Sequence, residues 1–208
     1  MRANAILEDA LRALGGIAAS GWKPGVDRAA LGRGILDVAL MIAALDGEVL
    51  PAERTAAASI AGLFRDVAPD EREAMIAQSL ENAELVIAER KTGVTDKQLV
   101  GFLILRAARV LPAGFVGRGA ADVRFALILW LAMCLSDGSF DAVERLAFWR
   151  LLDYFIPRPQ NLGPGAVRPS DGHLACREEL EKFVQGLAES GSAQAEKAFA
   201  DAFGGSRS

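Results

Sequence analysis

Apolar residues recur at three- and four-residue spacing along almost the whole chain, and the alternating runs a strand needs are hard to find. The pattern predicts helices over residues 5–19, 28–45, 51–66, 70–90, 95–111, 119–136, 141–156, 173–189 and 192–203. Start signals agree with it. Pro51 falls at a first helical position, Thr95 precedes Asp96-Lys97-Gln98 in capping-box spacing, and Asp141 stands three residues before Glu144. Pro69-Asp70-Glu71 places acids in a first turn, where the helix dipole favours them. The expected fold class is therefore all-α. Breaks at 21–27, 112–119 and 157–172 divide the chain into an N-terminal helix and linker (1–27), a central helical domain (28–156), and a Pro/Gly loop with a C-terminal helical appendage (157–208).

The central domain contains a pattern that occurs twice. Residues 38–64 read VALMIAALDGEVLPAERTAAASIAGLF and residues 129–155 read LWLAMCLSDGSFDAVERLAFWRLLDYF. Asp46, Gly47, Glu53, Arg54 and Phe64 correspond to Asp137, Gly138, Glu144, Arg145 and Phe155 at a constant offset of 91 residues. Each copy predicts an apolar helix, an Asp-Gly corner and a second helix, so the expected architecture is a bundle of two helix–loop–helix units. On the second helices Ala57, Ile60, Ala61 and Phe64 share a face, matched by Phe148, Leu151, Leu152 and Phe155. Stepping that stripe back by one turn reaches Glu53 and Glu144, so each acid is expected to head a core-facing stripe. A carboxylate aimed inward must find donors or a cation, because an isolated buried charge is strongly disfavoured.

The same spacing resembles the second half of a calcium-binding EF-hand loop. Asp46 to Glu53 and Asp137 to Glu144 fit positions five to twelve, with Gly at six and Glu at twelve, and Asp141 adds an acid at nine. The first half is missing: Ile42, Ala44, Met133 and Leu135 offer no side-chain oxygen where positions one and three need one. A complete EF-hand is excluded, while a weak cation site, or one shared between the copies, is not. A purely structural reading stands beside it. Asp-Gly is a common helix-ending turn, Glu at a third helical position bonds back to its cap, and Arg54 or Arg145 can neutralise a neighbouring acid.

MIAALDGEVLPAERTAAASIAGLF and its echo MCLSDGSFDAVERLAFWRLLDYF resemble the TerB-like family, associated with tellurite resistance and stress response, over about residues 30–156. The resemblance implies a helical, non-enzymatic module whose clustered acids bind a divalent cation. By position those acids are Asp46, Glu48 and Glu53 in one copy, and Asp137, Asp141 and Glu144 in the other; calcium, magnesium or manganese would be the ion. The chain departs from the family pattern where Leu45 and Ser136 precede Asp-Gly, and where Ser139 replaces the following acid.

Charge and inventory narrow the remaining classes. With 27 acidic against 23 basic residues the chain carries −4, which argues against nucleic-acid binding. The strongest apolar stretch, Phe125 to Leu135, is far short of the roughly 20 residues a membrane span needs. Glu8 and Asp9 interrupt the N-terminal apolar run, which does not read as a signal peptide, and the isolated Cys134 and Cys176 fit a cytoplasmic setting. Cys134 is expected to be a packed thiol. A single histidine, His173, excludes a His-rich metal centre and reads as a helix-start residue. Gly114, Gly117 and Gly119 read as a joint and not as a phosphate loop, and Arg145 and Trp149 have the spacing of a cation–π pair. Lys97, Arg106, Arg109 and Arg118 stand in an acid-free stretch that fits an anionic partner or membrane surface, unless they pair with acids of the 70–90 helix. Three functions remain open: a TerB-like module binding a divalent cation or a protein partner (another protein or a second copy), a structural or scaffolding bundle, and a hydrolase with two carboxylate-bound metals between the copies.

Overall fold

The computed structural model of the chain describes residues 28–65, 67–110 and 120–190. The helices expected over 5–19 and 192–203, the joint with Gly114, Gly117 and Gly119, and Arg118 lie outside those residues. The described residues contain seven α-helices and no strand: α1 (Arg28–Ala43), α2 (Pro51–Gly62), α3 (Pro69–Lys91), α4 (Asp96–Val110), α5 (Ala120–Cys134), α6 (Ala142–Phe155) and α7 (Asp171–Ser190). Short 3-10 turns lie at Ala44–Asp46 and Pro159–Asn161. None of the described helices is long and apolar enough to cross a membrane.

Two helices form the centre. Every residue from Ile35 to Leu45 is buried, as is every residue from Phe125 to Cys134, so α1 and α5 are apolar on nearly all sides and must be covered all round. They pack on each other, and α2, α3 and α4 cover α1. A buried indole needs an acceptor, and Trp130 of α5 donates to the Ile35 carbonyl at 3.0 Å, tying the two central helices together. Gly32 lets the same helix approach the α2–α3 connection: a Cβ there would stand 2.9 Å from the Phe64 ring and 3.1 Å from Met75. Cys134 is a fully buried thiol, as its apolar setting implies.

The outer helices carry one buried stripe each. Met75, Ser79, Ala83 and Val86 form it on α3, whose first turn holds Asp70 and Glu71 and whose last turn holds Arg90 and Lys91. At the head of α4 the capping box is one-sided. The Gln98 side chain accepts from both the N–H and the hydroxyl of Thr95. α2 ends at Gly62 and not at 66, because the chain turns there to bury both Phe64 and Val67. α5 ends at Cys134, and the turn that follows already belongs to the second acidic corner.

The last described helix, α7, packs on α5. Cys176, Leu180, Phe183 and Val184 are buried in the common core, and Arg124 grips Glu179 with two hydrogen bonds of 3.0 and 2.8 Å. Arg177, only 4% exposed, binds Asp153 and Glu181 at 2.6 Å each and donates to the Ile156 carbonyl at the end of α6. α7 begins at Asp171, and His173 in its first turn is buried with Nδ1 2.7 Å from the Ser170 hydroxyl.

Candidate functional site

The two acidic corners share one local design. Asp46 Oδ1 accepts the Glu48 N–H at 3.1 Å, and Asp137 Oδ1 accepts the Ser139 N–H at 2.8 Å. The next residue in each is left-handed, Gly47 at φ 116° and Gly138 at φ 87°, a conformation open to glycine without a Cβ penalty. Glu53 then reaches back to the Leu50 N–H at 2.6 Å, and Glu144 to the Asp141 N–H at 2.9 Å, satisfying donors left bare at a helix start. The second corner is complete, since Asp141 returns the bond to the Glu144 N–H at 2.8 Å. Leu50 stands in that place in the first corner and has no side-chain acceptor.

Burial separates the six candidate acids into two groups. Glu53 and Glu144 are 2% and 5% exposed, as the stripe argument required. Asp46, Glu48 and Asp137 are exposed, and Asp141 is half-buried in its cap. Loss of water pushes Glu53 up to about 8, against the opposing Leu50 N–H, with Asp46, Asp137 and Glu48 adding repulsion. Burial likewise pushes Glu144 up to about 9, opposed by the Asp141 N–H and reinforced by Asp141, Asp137 and Glu53. The second corner's Asp137 is thus felt at Glu53, and Glu53 at Glu144, so the two corners share one electrostatic neighbourhood. The Cys134 thiol is held well up by burial first and by Glu144 and the other acids after it.

The arginines of the corners do not neutralise these acids. Among the described residues Arg54 forms no ion pair, and Arg145 donates to the Asp141 carbonyl at 3.2 Å, which also takes the place of the expected contact with Trp149. Arg90 instead braces the first corner, donating to the Leu45 carbonyl while pairing with Asp96 at 3.0 Å. The carboxylate oxygens do not converge: among the described residues no group of three or more His, Cys, Asp or Glu is placed to hold a metal ion. As folded, each buried glutamate accepts the N–H three residues before it, and the exposed Asp46 and Asp137 each accept the N–H two residues after them.

The basic stretch of α4 also divides. Lys97 and Arg109 are exposed. Arg106 pairs at 2.6 Å with Asp37, an α1 residue 5% exposed, and not with an acid of the 70–90 helix. Asp37 also accepts from Asn82 at 2.6 Å. The pattern of the sequence did not single out this cluster, although an acid inside the apolar run GILDVALMIA was its signal. Nor did it single out an apolar groove of about 420 Å³ between α3 and α4, lined by Leu85, Val86, Val94, Leu99 and Phe102, with Glu89 and Gln98 at its polar edge. Leu85, Phe102 and nearby Leu105 on α4 are 63%, 57% and 66% exposed.

Comparison of the chain with protein-family models, curated proteins and solved structures finds no match.

Proposed function

We propose that the chain is a non-enzymatic helical interaction module, assembled from two TerB-like helix–loop–helix units, that works by docking a protein partner on the α3–α4 groove. The observation that carries this is the groove itself, where three large apolar side chains stand in water beside a concave apolar surface. Covering what each such side chain still exposes is worth roughly 1–2 kcal/mol. The partner that fits the rim best is a second copy of the chain. Glu84 and Glu89 are exposed along α3, while Lys97 and Arg109 are exposed along α4. A twofold axis through the groove sets the acidic edge of each copy on the basic edge of the other, as an isologous interface requires. Sedimentation velocity over a concentration series tests it. A dimer for the native chain and a monomer of unchanged helicity for Phe102→Glu/Leu105→Glu is the expected result; a native monomer at every concentration removes self-association.

A second reading is favoured by one observation, the buried glutamate pair with no cationic side chain paired to it among the described residues. A divalent cation such as calcium, magnesium or manganese would bind there by displacing the protons of Glu53 and Glu144, drawing in Asp46, Glu48, Asp137 and Asp141, and turning both glutamates away from the N–H groups they cap. Calorimetric titration in buffers of different ionisation heat reads that proton release. No heat and no change in melting temperature with any of these ions would end this reading. A role in tellurite or other stress rests on the likeness of the corners alone.

A further inference from the structure

Gly101 stands inside α4 on its exposed side. A glycine within a helix is costly, since its backbone is the freest in the unfolded chain and it brings no side chain to pack. Packing within the fold does not call for it: a Cβ at 101 would meet nothing within 4 Å among the described residues. Gly32 on α1 is the contrast, because there Phe64 and Met75 occupy the space a Cβ would need. Position 101 is thus a notch opening on the surface, beside the exposed ring of Phe102 and one turn before the exposed Leu105. Such a notch lets a second chain approach the helix backbone closely.

What enters it is set by the register of α3 and α4. The two run side by side in opposite directions: Asn82 and Arg106 meet on the Asp37 carboxylate, and Arg90 pairs with Asp96 at 3.0 Å. By the same count Leu85 stands level with Phe102, one residue or about 1.5 Å from the level of Gly101. Glu89 stands level with Gln98, one residue from Lys97. A twofold axis that carries the acidic α3 of one copy over the basic α4 of the other runs along the groove, and it preserves these levels. It brings Leu85 of each copy, 63% exposed, over Gly101 of the other, a knob facing a hole. It also brings the exposed Glu89 of each to the exposed Lys97 of the other. We infer that two copies pair by seating Leu85 of each in the Gly101 notch of the other, with Glu89 facing Lys97 beside it. This seat rests on the self-association proposed above and specifies its contact.

The test mixes two single variants of the full chain, Leu85→Cys and Gly101→Cys, under mild oxidation. The native Cys134 and Cys176 are buried and do not compete. A disulfide needs Cα atoms within about 7 Å, so the mixture should give a cross-linked dimer while either variant alone should not. Sedimentation velocity supplies the second readout. Gly101→Leu fills the notch without a clash inside its own chain, and it should weaken the dimer about a hundredfold because symmetry closes both notches. Adding Leu85→Ala to Gly101→Leu makes room again, so the double variant should associate about tenfold more tightly than Gly101→Leu alone, where independent losses would add. A native chain that is monomeric at every concentration removes the self-association and the seat with it. A native dimer that Phe102→Glu/Leu105→Glu dissociates, but that Gly101→Leu leaves at native affinity with no cross-link in the cysteine mixture, keeps the self-association and overturns the seat alone.

Discussion

Replacing Glu144 by Gln should make the protein more stable at neutral pH, although it removes a native side chain from a capping box. In the unfolded chain this carboxyl loses its proton near 4.5, whereas in the fold burial holds it protonated up to about 9. Between those values the folded state binds more protons than the unfolded state, so stability falls as pH rises and levels off above about 9. At 1.36 kcal/mol for each unit of pH, the penalty accumulated by pH 7 is about 3 kcal/mol at most. Gln is neutral throughout and its Oε1 can still accept the Asp141 N–H. Its amide brings new donors into a buried place, which costs about 1–2 kcal/mol. The net gain at pH 7 is therefore about 1–2 kcal/mol, or roughly 2–4 °C in melting temperature for each kcal/mol in a chain of this size. Urea unfolding of the native chain, Glu144→Gln and Glu53→Gln/Glu144→Gln from pH 5 to 9 measures it. The native chain should lose stability across that range and the double variant should be nearly flat. A Glu144→Gln variant that is less stable at pH 7 and keeps the native pH slope would refute the reasoning, because it would mean an ionised carboxylate with a positive partner.

Three further substitutions follow from the packing. Arg177→Ala should cost about 1–3 kcal/mol by chemical denaturation, since it bares the Ile156 carbonyl at the α6–α7 junction and takes one partner from the exposed Asp153, while Glu181 keeps Arg158 at 2.9 Å. Gly32→Ala should destabilise by about 1–3 kcal/mol, because its Cβ would press on the Phe64 ring at 2.9 Å within a filled core. Gly47→Ala should cost about 1 kcal/mol for a different reason, the positive φ of 116°; a Cβ there would still be 3.6 Å from the nearest atom of Arg90, so thermal unfolding should show a loss from strain without a loss of packing.

Much of the helical order was legible because it is local. The apolar run 38–45, the Pro51 start and the Asp141–Glu144 spacing each specify their own conformation within a turn or two: α2 and α6 begin where their signals stand, and the run fills the second half of α1 and the 3-10 turn after it. The inward lean of Glu53 and Glu144 was legible for the same reason, being a matter of four-residue periodicity on one helix. What the corner acids do was not, because the choice between capping and cation binding turns on where a carboxylate's oxygens end up. Here each glutamate is taken up by the N–H three residues before it. Partners distant in sequence were also hidden. Arg106 reads as a surface base on α4, yet its acid, Asp37, is 69 residues away on the central helix. The groove escaped notice because Leu85, Phe102 and Leu105 have the look of core positions, and only the packing of α3 against α4 leaves them uncovered. The end of α2 at Gly62 likewise depends on Phe64 finding the gap over Gly32, a contact no local window contains.

Site-specific titration of the Glu53 and Glu144 side-chain carboxyls by NMR, with and without calcium or magnesium, bears most directly on the claim that the twin corners are closed structural joints. Midpoints near 8 for Glu53 and 9 for Glu144, unmoved by either ion, are the expected result. Midpoints close to 4.5 would show carboxylates that are charged in the fold and contradict the closed joints, and a sharp drop on adding the ion would make the corners a cation site instead.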